Sequence, residues 1–160
     1  MSRRSREVSI AQQCLKYGSA AVLQAIADIT ARREVLEEAG VPASISEQCQ
    51  SDAELEFLLH AYHELPGLVP QFKVDGYRAD FALPDKGILI EIDGRTYHEG
   101  PKAFVHDRRR DRRLGGGGWR IMRFAAQEVY QDATACVAEI AALPEPLPFD
   151  DLEGLANATA

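Results

Sequence analysis

The sequence predicts an α/β fold in which a central mixed sheet of about four strands is flanked by helices. Two observations carry this prediction. Turn sequences divide a run of short strand-like segments, and segments with helical periodicity precede, interrupt and follow that run. The predicted order is helix, three strands, helix, strand and helix. With 160 residues, the chain is expected to form one domain with a substantial core rather than two.

Residues 1–50 are predicted to form a helical arm. Residues 8–40 have a helix-favouring composition with partial helical periodicity, and Gly40-Val41-Pro42 ends the segment. The arm is a candidate contact for a partner protein or for the second subunit of a homodimer.

The main domain is predicted to span residues 51–144 and to begin with a helix over about 52–64. Ser51 and Glu54 have the spacing of a capping box. Large residues then recur at the intervals of one helical face: Leu55, Leu58, Leu59 and Tyr62. Both patterns indicate the same helix start.

Three antiparallel strands are predicted to follow this helix. Asp75-Gly76 is a strong two-residue hairpin signal, and the sequence from Pro84 to Gly87 turns the chain again. The two turns separate three segments: 71–74, 77–83 and 88–93.

The last part of the domain is predicted to add a helix, a strand and a helix. Pro101 can occupy the first position of a helix, which the glycines at 115–118 end. A fourth strand is predicted over 119–124 and a closing helix over about 126–143. Residues 145–160 are acidic and alanine-rich, and they are predicted to be a loose tail.

Composition argues against several classes of protein. No apolar run approaches the roughly 20 residues that span a bilayer, and the basic N-terminus lacks the apolar core of a secretory signal. The three cysteines are far apart and form no C-x-x-C pair. We therefore expect a cytoplasmic protein with no membrane partner and no zinc site.

The basic residues are concentrated in one segment. The net charge of −7 by itself argues against a polyanionic partner, because nucleic-acid affinity depends on neutralising phosphates. Residues 101–123, however, hold eight Lys and Arg against two acidic residues. This excess suits a surface that follows a phosphate backbone, and an ordinary solvated helix face is the alternative. The residues predicted to bind nucleic acid are Lys102, Arg108, Arg109, Arg112, Arg113 and Arg123.

Three carboxylates are predicted to converge on one face of the sheet. In the expected hairpin register Asp80 lies opposite Glu91, and Glu91 shares a face with Asp93. Like charges so close destabilise a sheet, and a divalent cation such as Mg²⁺ or Mn²⁺ would compensate for them. Such a cation suits phosphodiester hydrolysis. The same register places Lys73 on this face as a candidate charge partner.

The run RADFALPDKGILIEIDGRTYH, followed by DRRRDRRLGGGGWRIMRF, resembles the PD-(D/E)XK nuclease superfamily. Within it, the resemblance is to the very-short-patch-repair-like branch and especially to the domain of unknown function numbered 559. It covers about 95 residues, from Ser51 to roughly Pro144. The resemblance implies a restriction-endonuclease-like fold.

The resemblance also implies roles for individual residues. Asp80 and Glu91 would bind metal, Glu54 would support them from the preceding helix, and Asp93 and His98 would act near the scissile phosphate. Glu54 as a simple capping residue and Asp93 as a simple turn residue are the alternatives. Asp93 stands where the superfamily has lysine, so the candidates for that lysine's role are Lys73, His98 and Arg123.

The leading functional hypothesis from the sequence is a Mg²⁺- or Mn²⁺-dependent endonuclease, with DNA favoured over RNA as substrate. The alternative is a non-catalytic nucleic-acid-binding or regulatory module, in which the missing lysine marks a degenerate nuclease site.

Overall fold

The computed structural model describes residues 19–94 and 101–144, in two compact units that divide between Leu59 and His60. The helices are α1 (Ser19–Glu38), α2 (Ala43–Ser46), α3 (Asp52–Ala61), α4 (Pro101–Gly116) and α5 (Ala126–Ala141). The strands are β1 (Val69–Val74), β2 (Tyr77–Leu83), β3 (Ile88–Asp93) and β4 (Arg120–Ala125). The predicted mixed α/β fold and the order of its elements are confirmed. Residues 8–18 of the predicted arm helix and the tail at 145–160 lie outside the described residues.

In the first unit, α1 ends where the sequence predicts. Gly40 adopts a left-handed conformation with φ of 82°, and the Val41 N–H then donates to the carbonyl of Leu36 at 2.9 Å. This arrangement satisfies a carbonyl at the helix end that would otherwise lack a partner. Leu36 and Val41 are both buried. The helix end is thus stabilised by both a backbone hydrogen bond and apolar burial.

One half of the predicted capping box is present at the start of α3, where Ser51 caps the helix, and Glu54 reaches the N–H of Gln50 instead of that of Ser51. Ser51 Oγ accepts the Glu54 N–H at 3.1 Å and donates to Glu54 Oε1 at 2.9 Å. Glu54 Oε2 accepts the Gln50 N–H at 2.9 Å. The buried carboxylate of Glu54 therefore accepts hydrogen bonds from Ser51 Oγ and from the backbone just before the helix.

The second unit contains a four-stranded sheet in the order β1-β2-β3-β4. The first two pairings are antiparallel and β4 pairs parallel to β3. Asp75 and Gly76 both have positive φ, 49° and 74°, as a type I′ hairpin turn requires. Helix α4 makes the crossover connection that a parallel pair needs. Both antiparallel registers are the predicted ones, because short turns determine which residues face each other.

Apolar side chains on one face of this sheet pack with α4. Ala79, Ala82, Leu89 and Leu114 form a fully buried cluster. Partly buried residues pack around it: Phe72, Val74, Tyr77, Trp119 and Ile121. The predicted stripe of α5 is also buried: Val129, Ala133, Val137 and Ile140. Among the described helices, none is both long and apolar enough to cross a membrane.

The alternation of side chains breaks in the first hairpin. Ala79 and Ala82 are three residues apart, yet both belong to the cluster beside α4. The β1–β2 ladder passes from Phe72↔Ala79 to Pro70↔Phe81, and Gln71 at the break has a φ of 50°. Strict alternation would place Ala79 and Ala82 on opposite faces. The break therefore changes which side chains of the hairpin share the face of Leu89.

This break corrects the predicted position of Lys73. Phe72 and Val74, its neighbours in β1, both pack on the cluster beside α4. Lys73 is exposed and pairs with Arg78. Because adjacent residues of a strand point to opposite faces, Lys73 lies on the face away from that cluster. The prediction that Lys73 shares the face of the carboxylates is wrong, because it assumed that side chains alternate without a break along both strands of the hairpin.

Candidate active site

Glu91 is a buried carboxylate in the middle of the apolar strand β3. Its Oε1 accepts a hydrogen bond from the Tyr77 hydroxyl. Its Oε2 accepts hydrogen bonds from Arg110 Nη2 at 3.1 Å and Arg123 Nε at 3.0 Å. A buried carboxylate is costly unless it is paired and hydrogen-bonded. Here two guanidinium groups compensate its charge.

Three different elements deliver these partners. Tyr77 is the first residue of β2 after the hairpin turn, and Arg123 is the register partner of Glu91 across the parallel β3–β4 pair. Arg110 lies on α4 one helical turn before the buried Leu114, so both point toward the sheet. The Arg110 guanidinium also lies over the Tyr77 ring, 4.5 Å from its centroid. The cluster around Glu91 is thus assembled by the packing of α4 on the sheet.

Asp111 extends the cluster by one more carboxylate. Arg123 Nη1 donates to Asp111 Oδ2 at 3.1 Å, and Arg123 Nη2 donates to Asp111 Oδ1. This two-point contact lowers the pKa of Asp111 below its ordinary value, and it raises the pKa of Arg123. Burial, together with the hydrogen bond to Glu91, raises the pKa of Tyr77 above its ordinary value. Tyr77 is therefore a neutral donor to Glu91 at physiological pH.

Asp80 lies beside this cluster in a different kind of contact. Its Oδ2 accepts the backbone N–H of Ile92 at 2.8 Å, which joins β2 to β3 just beyond the last ladder pair, Phe81↔Ile90. The negative charge of Asp80 also contributes, after burial and Glu91, to the raised pKa of Tyr77. Asp80 and Glu91 are thus neighbours on adjacent strands.

The side chains as placed do not form a ligand set for a divalent cation. Among residues 19–94 and 101–144, no group of three or more His, Cys, Asp and Glu side chains lies together in a way that could hold one. Both oxygens of Glu91 are bonded to Tyr77, Arg110 and Arg123. Asp93 is exposed at the end of β3. In this arrangement Glu91 is the anion of an ion-pair cluster, and the roles of Asp80, Glu91 and Asp93 as metal ligands stay predictions.

The part of the chain that builds this cluster matches a known family. The model of the restriction-endonuclease-like family REase_MTES_1575 matches residues 63–143. The chain belongs to this family. The matched range contains all four strands, α4 and α5.

Two curated relatives and one solved structure are similar to this restriction-endonuclease-like chain. Uncharacterized proteins Rv2248 and MT2308, from two strains of Mycobacterium tuberculosis, are each 30% identical to it over 118 residues. The alignments cover 71% of this chain and 42% of each relative, so the chain spans less than half of their length. The catalytic domain of the homing endonuclease I-Bth0305I is 20% identical, with a TM-score of 0.46 over 55% of this chain and 88% of that domain.

The remaining predicted site residues lie in several places. Glu54 belongs to the first unit, at the start of α3. Arg108, Arg109 and Arg112 are exposed on α4. Arg113 is also exposed, and its Nη2 donates to the carbonyl of Asp75. His98 lies outside the described residues, as does the side chain of Lys102.

Sequence reasoning missed two members of the Glu91 cluster, Tyr77 and Arg110. A signal for Arg110 was present, because it lies four residues before the inward-facing Leu114 and so on the same helical face. The sequence signal for Tyr77 was weaker. It follows the hairpin turn directly, but only the break in alternation brings it to the face of Glu91.

We expect the Asp111–Arg123 pair to make stability depend on acid pH. A carboxylate whose pKa is lowered on folding stabilises the fold above its unfolded pKa, and that stabilisation is lost as the pH falls through the folded value. Below about pH 4, the wild type should therefore lose stability more steeply than Asp111→Asn. At neutral pH the variant should be less stable by no more than about 1 kcal/mol, because the pair is partly exposed. Urea melts between pH 7 and pH 3 check this, and parallel pH profiles would contradict it.

Proposed function

We propose that this chain is a metal-dependent endonuclease that hydrolyses phosphodiester bonds, with DNA as its favoured substrate. One juxtaposition carries the proposal: Asp80 and Glu91 lie on adjacent strands, and Glu91 contacts Arg110 of the arginine-rich helix α4. Carboxylates next to a basic surface suit hydrolysis at a phosphate backbone. Membership of a restriction-endonuclease-like family supports this function. Within the PD-(D/E)XK superfamily, the resemblance of the segment from Arg78 to His98 favours the very-short-patch-repair-like branch.

The proposal assigns roles by position. The exposed arginines of α4, Arg108, Arg109 and Arg112, would bind and orient the phosphate backbone. Asp80, Glu91 and Asp93 would supply the oxygen ligands that Mg²⁺ and Mn²⁺ prefer. A bound cation would activate water and stabilise the developing charge. Since Glu91 is bonded to two guanidinium groups, the proposal requires that Arg110 and Arg123 leave it.

A second candidate function is a non-catalytic nucleic-acid-binding module. The observation in its favour is that same ion-pair cluster, which occupies both oxygens of Glu91. In such a module Glu91 would hold α4 against the sheet, and the arginines of α4 would still bind phosphates. The two candidates differ in whether a cation reaches the carboxylates.

The deciding experiment incubates purified protein with supercoiled plasmid, single-stranded DNA and RNA, each with Mg²⁺, with Mn²⁺ or with EDTA. An endonuclease is expected to nick or linearise the plasmid with a divalent cation and not with EDTA. Preferential cleavage of RNA would overturn the DNA assignment. Binding of nucleic acid without cleavage under any condition would overturn the endonuclease and favour the binding module.

We expect the exposed arginines of α4 to determine the salt dependence of nucleic-acid binding. Replacing Arg108, Arg109 and Arg112 by Ala should reduce the slope of log K against log salt by about one unit for each arginine that binds a phosphate in the wild type. The matched control is Arg120→Ala, because Arg120 is an exposed arginine on β4 rather than on α4. Fluorescence anisotropy with a labelled duplex at several salt concentrations measures the slope. A slope that stays at the wild-type value would place these arginines away from the nucleic acid.

A further inference from the structure

We infer that the end of the β1–β2 hairpin binds a nucleic-acid phosphate backbone through Lys73 and Arg78, on the side of the sheet opposite α4. The inference takes nucleic acid as the ligand, and in that respect it rests on the proposed function. It adds a second phosphate-binding surface to that of α4. Its two residues are ones to which the proposed function assigns no role.

Lys73 and Arg78 are register partners in the hairpin, and both side chains are exposed. Their neighbours along the two strands, Phe72, Val74 and Tyr77, pack on the cluster beside α4. Because adjacent residues of a strand point to opposite faces, Lys73 and Arg78 share the outer face of the hairpin. Cross-strand partners have their Cβ atoms about 5 Å apart. The outer face therefore carries two positive charges side by side.

The end of the hairpin that holds this pair is both accessible and fixed. The β2–β3 ladder begins at Phe81, so the part of β2 that contains Arg78 extends past that ladder toward the turn. The turn residues Asp75 and Gly76 are exposed. From the α4 side, Arg113 Nη2 donates to the carbonyl of Asp75 and holds the turn. A surface that is ordered before binding loses little conformational entropy when a ligand arrives.

Protection of an open sheet edge does not account for this pair of charges. β1 is an edge strand, and a lysine on such a strand discourages pairing with another chain. Pro70 and the break at Gln71 already interrupt the edge of β1. Arg78 lies on β2, which stands between β1 and β3 in the sheet, so it does not protect that edge. An anionic ligand explains both charges.

Charge and spacing favour a phosphate backbone as that ligand. The chain has a net charge of −7, so a face with two cations departs from its overall charge. Along one strand of B-DNA a phosphate occurs about every 3.4 Å of helix axis. Two long basic side chains whose Cβ atoms are about 5 Å apart can therefore each reach a phosphate.

The basic pair also lies at the end of the sheet where the candidate site is found. β2 and β3 are antiparallel, so the Tyr77 end of β2 and the Asp93 end of β3 lie at the same end of the sheet. A backbone bound by Lys73 and Arg78 would therefore lie near the proposed site, on the face of the sheet that α4 does not cover.

The first test measures the salt dependence of duplex DNA binding in EDTA, by fluorescence anisotropy on the whole chain. Lys73→Gln and Arg78→Gln are each expected to reduce the slope of log K against log salt by about one unit, and the double variant by about two. Lys73→Arg keeps the charge and should keep the wild-type slope. Arg120→Gln is the control, because Arg120 is an exposed arginine that pairs with Ile88 at the other end of the sheet.

The second test asks whether the hairpin and α4 bind different phosphates. The Lys73→Gln, Arg78→Gln double variant is combined with the replacement of Arg108, Arg109 and Arg112 by Ala. Two surfaces on opposite sides of the sheet should act independently, so the two reductions of slope are expected to add. A combined variant with the same slope as the α4 variant would overturn the second surface.

Wild-type slopes for both single glutamine variants would also overturn the inference. Aggregation of Lys73→Gln with an unchanged slope would assign Lys73 to edge protection instead. Thermal melts near the wild-type temperature show that the variants are folded, as expected for exposed positions. Failure of the endonuclease proposal has a different signature: the wild type binds duplex DNA and cleaves nothing, while the slopes of the hairpin variants still decide the inference. A wild type that binds no nucleic acid would overturn both.

Discussion

A Glu91→Gln protein is expected to be less stable than the wild type by about 3 kcal/mol in EDTA and to lose cleavage activity. Glu91 is the buried anion shared by Arg110 and Arg123, so neutralising it removes that shared charge and puts a neutral amide next to two partly buried guanidinium groups. Urea unfolding in EDTA measures the free energy of unfolding, and plasmid cleavage with Mn²⁺ measures the nuclease activity.

This expectation reverses the one that carboxylate repulsion alone suggests. If Glu91 were crowded mainly by Asp80 and Asp93, removing its charge would leave the metal-free protein at least as stable as the wild type. The matched control is Glu139→Gln, an exposed carboxylate of α5, which should change stability by less than about 0.5 kcal/mol. A Glu91→Gln protein as stable as that control would contradict the ion-pair role.

Asp80→Asn is expected to separate activity from stability. The asparagine side-chain oxygen can still accept the Ile92 N–H, so the free energy of unfolding should stay near the wild-type value. The lost negative charge should reduce cation-dependent cleavage by at least about 100-fold, because Asp80 is a proposed metal ligand. Thermal melts and initial cleavage rates measure the two effects.

Two further variants make the Asp80 result specific. Asp80→Ala also removes the acceptor for Ile92 N–H, so it should cost about 1–3 kcal/mol more than Asp80→Asn. Asp85→Asn removes an exposed carboxylate from the neighbouring turn and should cleave as the wild type does. If Asp80→Asn cleaves at the wild-type rate, Asp80 is not a metal ligand.

Most of the fold was predictable because its signals are local. Asp75-Gly76 specifies a tight turn, and this turn determines the register in which β1 pairs with β2. Pro101 marks the start of α4, because proline lacks the N–H that the first position of a helix leaves unpaired. The glycines after Leu114 mark its end, because glycine has the backbone freedom to leave the helical conformation. The stripe of α5 follows from the 3.6-residue period of a helix. Each of these signals depends on residues close together in sequence.

The candidate site was predictable only in part. Register arithmetic correctly placed Asp80 next to Glu91, because both follow from two short turns. It failed for Lys73, because the alternation of side chains breaks at Gln71 and Asp80. Such a break depends on how the hairpin packs against its neighbours. The two-residue alternation of side chains in a strand contains no information about that packing.

The sequence by itself determined that a buried carboxylate on β3 would need compensation, since Glu91 stands within an apolar run. Only the tertiary structure decided what compensates it. The partners of Glu91 are 14, 19 and 32 residues away along the chain, on β2, α4 and β4. Their meeting depends on the crossover of α4 and on its rotation about its own axis, which brings Arg110 onto Glu91. Local propensity and periodicity predict which elements form, and the packing of one element on another decides which charges meet.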